Sequence, residues 1–354
     1  PDDGTVSRGI GIFDYNNDGK LDMYIARSSS LGDILMVNNG GWDFTKIKVT
    51  GSIYPGATGF RGLAITDYNK DGFADVYIGN GITSGGTPET SNILLRNEAG
   101  SGFTLITNDA LATDLSNGRM ISAADYDNDG DQDILILNET SSLGNPILLY
   151  KNNGGTFAKV TSTVFETDIF NLARTASWGD IDNDGDLDLY VGSQGANPTV
   201  AHDRLYRNDG NDIFTSLTTS PVEEGGTISR GSTFGDIDND GDLDLLVIND
   251  AANSLFINDG TGTFTKSTST ELLLGANVAE IGVAMADYDV DGFLDVYPTK
   301  GQTTPIDLPN LLYHNNLTPT ASRNWIEVRL VGTVSNRAAL GARVIATTTF
   351  PSKT

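Results

Sequence analysis

The sequence predicts an all-β fold, and three observations predict it. An acidic nine-residue motif recurs six times. Each copy is followed by short apolar runs separated by Asn/Gly turns. No amphipathic stretch of ten or more residues has a helical period. The motif reads DYNNDGKLD at 14–22, DYNKDGFAD at 67–75, DYDNDGDQD at 125–133, DIDNDGDLD at both 180–188 and 236–244, and DYDVDGFLD at 287–295. The copies start 51 to 58 residues apart. That is too long for most solenoids and suits a four-stranded propeller blade, whose usual period is about 40 to 50 residues. The expected architecture is therefore a β-propeller of six motif-bearing blades. Seven is the alternative, if the chain is truncated or if the C-terminal tail contributes strands.

Within a repeat the elements follow one order. A small, half-apolar run comes first (RGIGIF, RGLAIT, RGSTFG) and supplies the first strand. The acidic loop follows. A β-branched and aromatic run is the second strand (MYIA, VYIGN, ILILN, LYVGS, LLVIN, VYP). A third apolar run ends in Asn (ILMVN, ILLRN, LLYKN, RLYRN, SLFIN, LLYHN). A turn rich in Asn and Gly then reverses the chain into a fourth strand built on Phe, as in GGTFAKV and GTGTFTKS. The last fourth strand is expected near 324–331. Residues 1–317 make the propeller, and 318–354 form a β tail packed on it or completing it.

Composition narrows the function classes. The chain carries 47 acidic and 22 basic residues, a net charge of −25. This argues against nucleic acid and anionic membranes and favours cations as partners. There is no cysteine, which removes disulfides, thiolate metal sites and cysteine nucleophiles. No apolar run is long enough to span a bilayer. No signal peptide is visible, and Pro1 in place of Met is expected of a mature or truncated product.

The acidic motif has the chemistry of a calcium loop. Side-chain oxygens stand at positions 1, 3, 5 and 9: Asp14, Asn16, Asp18 and Asp22; Asp67, Asn69, Asp71 and Asp75; Asp125, Asp127, Asp129 and Asp133; Asp180, Asp182, Asp184 and Asp188; Asp236, Asp238, Asp240 and Asp244; Asp287, Asp289, Asp291 and Asp295. Position 6 is always Gly, which accepts a positive φ. Position 7 varies (Lys20, Phe73, Asp131, Asp186, Asp242, Phe293), as expected of a residue that lends only its carbonyl. Hard oxygen donors in a compact loop suit Ca²⁺, which takes about 6–8 oxygens; Mg²⁺ demands stricter octahedral geometry. An EF-hand would need Glu at position 12, where this chain has Ile25, Ile78, Ile136, Val191, Val247 and Pro298. The fourth carboxylate comes instead at position 9, directly before a strand. About six calcium ions are expected, with the first two loops weaker because Asn replaces one Asp.

The motif, together with the pattern NSLFINDGTGTF at 253–264, resembles the FG-GAP/VCBS calcium-binding propeller repeats over residues 8 to about 317. The tail NWIEVRLVGTVSNRAALGARVIATT at 324–348 is similar to the start of the ASPIC/UnbV domain, and its expected continuation is absent. The resemblance implies a secreted or surface location and binding rather than chemistry.

No catalytic signature stands out. His202 and His314 fall at different phases of the repeat and read as ordinary surface or strand residues. No G-x-S-x-G, HExxH or P-loop occurs. Arginine does recur six residues before the loop, at Arg8, Arg61, Arg119, Arg174 and Arg230, with Ile281 breaking the series. At the start of inner strands, these would form an incomplete ring near one mouth of the channel. They would either cradle an anionic sugar or lock onto neighbouring blades' carboxylates. Two N-x-T sequons, at Asn138 and Asn316, are expected in loops open to glycosylation. The leading function is a secreted, calcium-stabilised adhesion or binding module for glycan or protein, with specificity in variable loops such as 81–91 and 193–203. The alternatives are the self-assembling subunit of an extracellular fibre or surface layer, and a polysaccharide-active enzyme such as a lyase.

Overall fold

The computed structural model describes residues 7–27, 32–49, 62–79, 92–114, 116, 118–138, 147–161, 164–167, 173–193, 202–223, 227–250, 252–268, 280–300 and 311–317. Five four-stranded antiparallel sheets follow one another along the chain. The first is β1 (Ser7–Phe13), β2 (Asp22–Arg27), β3 (Asp33–Gly40) and β4 (Asp43–Val49). The second is β5 (Leu63–Thr66), β6 (Asp75–Ile78), β7 (Ile93–Asn97) and β8 (Phe103–Ile106). The third is β9 (Gly118–Ala124), β10 (Asp133–Asn138), β11 (Ile147–Asn152) and β12 (Phe157–Lys159). The fourth is β13 (Ala173–Gly179), β14 (Asp188–Ser193), β15 (Arg204–Asn208) and β16 (Phe214–Ser216). The fifth is β17 (Ser229–Gly235), β18 (Asp244–Asn249), β19 (Ser254–Asn258) and β20 (Phe264–Lys266). A sixth sheet holds β21 (Glu280–Ala286) and β22 (Asp295–Lys300), extended by a single bridge from Val296 to Tyr313. Among the described residues two helices, Ala110–Thr113 and Val164–Thr167, are one turn each and lie in connections between sheets.

The expected strand order holds in every repeat described. The acidic loop always joins first strand to second, so β1 pairs with β2 from Phe13–Asp22 outward. First strands contact first strands in sequence: β1 with β5, β5 with β9, β9 with β13, β13 with β17, and β17 with β21. This is the arrangement of propeller blades around an axis. The fourth strand of the last blade, expected near 324–331, lies outside the described residues.

The apolar core sits between blades. Each of five buried clusters joins residues of two successive blades; one, for example, unites Phe13, Tyr24 and Leu35 with Val76, Ile78 and Leu95. Second strands are covered on both faces by this arrangement. Hence β6, β10, β14 and β18 are buried along their whole length, and their sequences run apolar without alternation. Close approach is set by small residues on inner strands. A Cβ at Gly11 would stand 2.6 Å from Ile65 of the next blade, and one at Gly235 would stand 2.7 Å from the Met285 sulfur. Each large side chain of one blade thus seats in a gap left by the blade before it.

Candidate functional site

Each acidic loop is a tight reversal held by its own carboxylates. Asp14 accepts from the backbone N–H groups of Asp18 (3.0 Å) and Gly19 (2.8 Å). Asp67, Asp236 and Asp287 make the same pair of bonds within their loops. Two left-handed residues make the reversal possible. Position 4 has φ between 55° and 63° in all six loops, and the Gly at position 6 has φ between 86° and 100°. Asn fills position 4 in four loops, as befits a residue that tolerates this region, whereas Lys70 and Val290 occupy it at greater cost.

The position-9 carboxylates are the most enclosed. Asp22, Asp75, Asp133, Asp188, Asp244 and Asp295 are each at most 1% exposed. In each, one oxygen accepts from the backbone N–H at position 2, and the other accepts from the N–H of the Asn that ends the third-strand run; for Asp188 these donors are Ile181 and Asn208, both at 2.8 Å. The fold brings positions 1, 3 and 9 together in three loops: Asp125, Asp127 and Asp133; Asp180, Asp182 and Asp188; Asp236, Asp238 and Asp244. In the sixth loop Asp287, Asp289 and Asp291 converge.

Crowded, buried carboxylates resist ionisation. Burial, reinforced by neighbouring carboxylates, pushes Asp75 and Asp133 up to about 8, and Asp188 and Asp244 up to about 7. Asp22 shifts upward for the same first reason, as do Asp125, Asp180 and Asp236 at position 1. Asp125 Oδ1, Asp180 Oδ1 and Asp182 Oδ1 are shielded from solvent and accept no hydrogen bond of normal geometry. A shielded acceptor short of well-formed hydrogen bonds is the feature a hard cation would satisfy, and every ligand atom offered by the side chains at positions 1, 3, 5 and 9 can be an oxygen.

Protein cations already answer part of the charge in two loops. Lys151 Nζ lies against Asp127 and 3.8 Å from Asp129, and Lys70 Nζ lies 2.5 Å from Asp131. Lys20 Nζ pairs with Asp18 at 2.8 Å and holds its carboxyl below the usual range. His314, read from sequence as an ordinary residue, stands in the sixth loop. Its Nδ1 is 3.0 Å from Asp295 and 3.6 Å from Asp289, and Asp295 pulls its ring pKa upward.

The loops are also joined to one another, which local sequence reading missed. The third-strand Asn of each later blade donates its side-chain amide to the position-2 carbonyl of the blade before: Asn97 to Tyr15, Asn152 to Tyr68, Asn208 to Tyr126, Asn258 to Ile181 and Asn315 to Ile237, all at 2.8–2.9 Å. Position 4 reaches the other way. Asn17 donates to the Gly72 carbonyl, Asn128 to Asp186, Asn183 to Asp242 and Asn239 to the Gly292 carbonyl, and Lys70 pairs with Asp131. An Asp at position 7 therefore has a side-chain role as well. Asp131, Asp186 and Asp242 each take a donor from the preceding blade, so the expectation that only their carbonyl matters needs correction.

The recurrent arginines sit at backbone irregularities. Strand pairing shifts register across Arg8, Arg119, Arg174 and Arg230, and also across Ile281, so each is the extra residue of a β-bulge. A bulge re-aims a side chain out of the strand's alternation. Arg119, Arg174 and Arg230 are half-buried. Arg230 pairs through Nε and Nη2 with Asp250, in its own blade rather than a neighbour. Arg61 lies outside the described residues, as do 81–91, 194–201 and the tail. Asn138 corrects another expectation: it is the last residue of β10, 1% exposed, and not a loop residue with room for a sugar. Asn316 is exposed.

Known proteins share this pattern. A family model described as FG-GAP-like repeat matches residues 14–78, 125–191, 195–247 and 236–297. Cartilage acidic protein 1 of Xenopus tropicalis is 24% identical over 370 residues, which cover 95% of this chain and 54% of that protein. The chain thus spans about half the length of this curated relative. Among solved structures, an Agrocybe aegerita lectin with specific recognition of non-reducing terminal N-acetylglucosamine superposes with a TM-score of 0.56 at 18% identity, over 88% of this chain and 80% of the lectin. The rhamnogalacturonan lyase YesW superposes at a TM-score of 0.45 and 13% identity, over 83% of this chain and 55% of the lyase, a likeness too slight to carry an argument.

Proposed function

The chain belongs to the FG-GAP-like repeat family, and from that premise we propose that it is a secreted, calcium-loaded β-propeller serving as an adhesion or binding module for a glycan or an extracellular protein. The ion would be held in each loop by the side chains at positions 1, 3, 5 and 9 and the carbonyl at position 7. Calcium would supply the positive charge that lets the position-9 carboxylates stay ionised while buried. The observation that carries this reading is the convergence of the carboxylates at positions 1, 3 and 9 in three loops, with shielded oxygens on Asp125, Asp180 and Asp182 that accept no hydrogen bond of normal geometry. With the six acidic loops tied one to the next, bound calcium would lie along the blade boundaries.

A glycan is the ligand class to test first. Likeness to the lectin supports the propeller fold and suggests the class. A relative named for cartilage fits an extracellular setting. The test is an array of neutral, uronic and sulfated glycans, probed with and without calcium, alongside an assay for unsaturated cleavage products. The expected result is calcium-dependent retention on at least one glycan class without cleavage. Cleavage products would identify a lyase instead. Retention of no glycan under either condition would overturn the glycan reading and leave protein as the ligand class.

A further inference from the structure

A cleft of about 450 Å³ opens between the third and fourth blades, a size usual for a small-molecule site. One wall is the face of β11 and β12 that looks toward the fourth blade. Lys151 and Ala158 are partners across these strands, and Val160 packs on the core shared with that blade. The other wall is the turn between β15 and β16, residues 211–213. Lys159 also borders the cleft, but its cross-strand partner Tyr150 belongs to the core shared with the second blade, so by alternation its ammonium lies on the opposite face. The turn is strained. Gly210, Asn211 and Asp212 are left-handed in succession, with φ 74°, 53° and 63°, where the fifth blade places Gly260 and Gly262. Strain of this kind collects at ligand sites. Here Asp212 accepts from the Tyr126 hydroxyl of the third blade, and Ile213 stays 57% exposed. Lys151 is where cleft and acidic loop meet: it borders the cleft, and its Nζ lies against Asp127 and 3.8 Å from Asp129.

We propose that this cleft binds the ring of a neutral pyranose, and that Lys151 couples the cleft to the third acidic loop. The lining suits that class. Asp212 can accept from ring hydroxyls, the side-chain amides of Asn153 and Asn211 can both donate and accept, and Val160 and Ile213 offer apolar surface to ring C–H groups. An anionic sugar would meet the Asp212 carboxylate. The coupling rests on the calcium reading of the loop. Asp127 and Asp129 cannot hold a metal ion and the Lys151 ammonium together, so filling the loop turns Lys151 toward the cleft, where it donates to the bound sugar. By reciprocity, the sugar tightens the third loop's hold on calcium by the same factor.

The test is NMR titration of the full chain with methyl glucoside, methyl galactoside and methyl mannoside, and with methyl glucuronide as the anionic comparison. Each is run in calcium and in chelator, and calorimetry counts the calcium bound. At least one neutral pyranoside should bind, about fivefold more tightly in calcium than in chelator, and more tightly than the glucuronide. The amides it shifts should be those of 151–161 and 211–213, a readout that depends on no variant folding. Ile213→Trp, at an exposed position, should fill the cleft and abolish binding with the melting temperature unchanged. Lys151→Met should erase the difference between calcium and chelator while the loop still takes calcium. Binding of none of the neutral sugars to the calcium-loaded protein, shifts confined to other residues, or a glucuronide bound more tightly than every neutral ring would overturn the proposal. Retention on a glycan array that survives Ile213→Trp would also overturn it and leave the wider glycan reading standing. Equal sugar affinity in calcium and chelator, with calcium bound, would overturn the coupling alone, whereas a third loop that takes no calcium would overturn the calcium reading with it.

Discussion

The side-chain amide of Asn152 donates to the backbone carbonyl of Tyr68 at 2.8 Å, tying the end of one blade's third strand to the acidic loop of the blade before it. The same amide holds the Gln132 carbonyl, its oxygen accepts from Gly155, and the residue is fully buried. Asn152→Ala should therefore cost about 2–3 kcal/mol, since it strands buried backbone groups on two blades. Asn38 occupies the equivalent place in the first blade but holds one carbonyl of its own blade at an exposed site. Asn38→Ala should cost about 1 kcal/mol or less. Urea titrations of the two variants check the contrast, and equal losses would mean the amide does not join blades.

Position 4 of the sixth loop offers a test in the stabilising direction. Val290 is β-branched, has φ 63° and is 60% exposed, so it bears left-handed strain without packing in return. Val290→Asn should raise stability by about 1 kcal/mol. Gly185 has φ 96°, and Gly185→Ala should lower stability by about 1–2 kcal/mol. Thermal unfolding in calcium measures both.

Much of this was legible in the sequence because it is local. The loop's oxygen positions, its Gly and the strand that follows all lie within about a dozen residues, and their repetition set the strand order. The contacts between blades were not legible. Asn152 and Tyr68 are 84 residues apart, and Asn183 and Asp242 are 59 apart, so their meeting depends on how closely blades approach. The arginine series was visible, but its cause was not. A bulge is a mismatch between two strands, and no single strand's pattern reveals it. Asn138 was misplaced for a related reason: its sequon looked like a loop start, yet Asn138 is itself the last residue of β10 and is buried.

Stability without metal should fall as pH rises. An isolated Asp titrates near about 3.9 in the unfolded chain, while burial raises Asp75 and Asp133 to about 8 in the folded one. A raised folded pKa contributes stability that is complete below the unfolded value and lost as pH climbs through the folded one. Chelated protein should thus melt at a lower temperature at pH 8 than at pH 5. Calcium, bound by the ionised form, should give its largest increase in melting temperature at pH 8. A chelated protein more stable at pH 8 than at pH 5 would refute the assignment.

Lysine competition should grade the loops. Lys151 places its ammonium among the carboxylates of the third loop, where an exposed-to-half-buried ion pair is worth about 1 kcal/mol. Lys151→Met should raise that loop's calcium affinity about fivefold. The fourth loop, with no lysine paired to Asp180 or Asp182 among the described residues, serves as the internal control in calorimetric titrations.

The proposed role of calcium in the six loops is to hold the blades together. Its most direct test is calorimetric unfolding of the intact protein in calcium and in chelator, with bound metal counted on the same samples. Each ion bound only by the folded state stabilises it by about 2.7 kcal/mol at 100-fold excess over Kd. The expected result is close to six calcium ions per chain and a melting temperature at least about 10 °C lower in chelator. Protein that carries no calcium and melts at the same temperature in both conditions would contradict it.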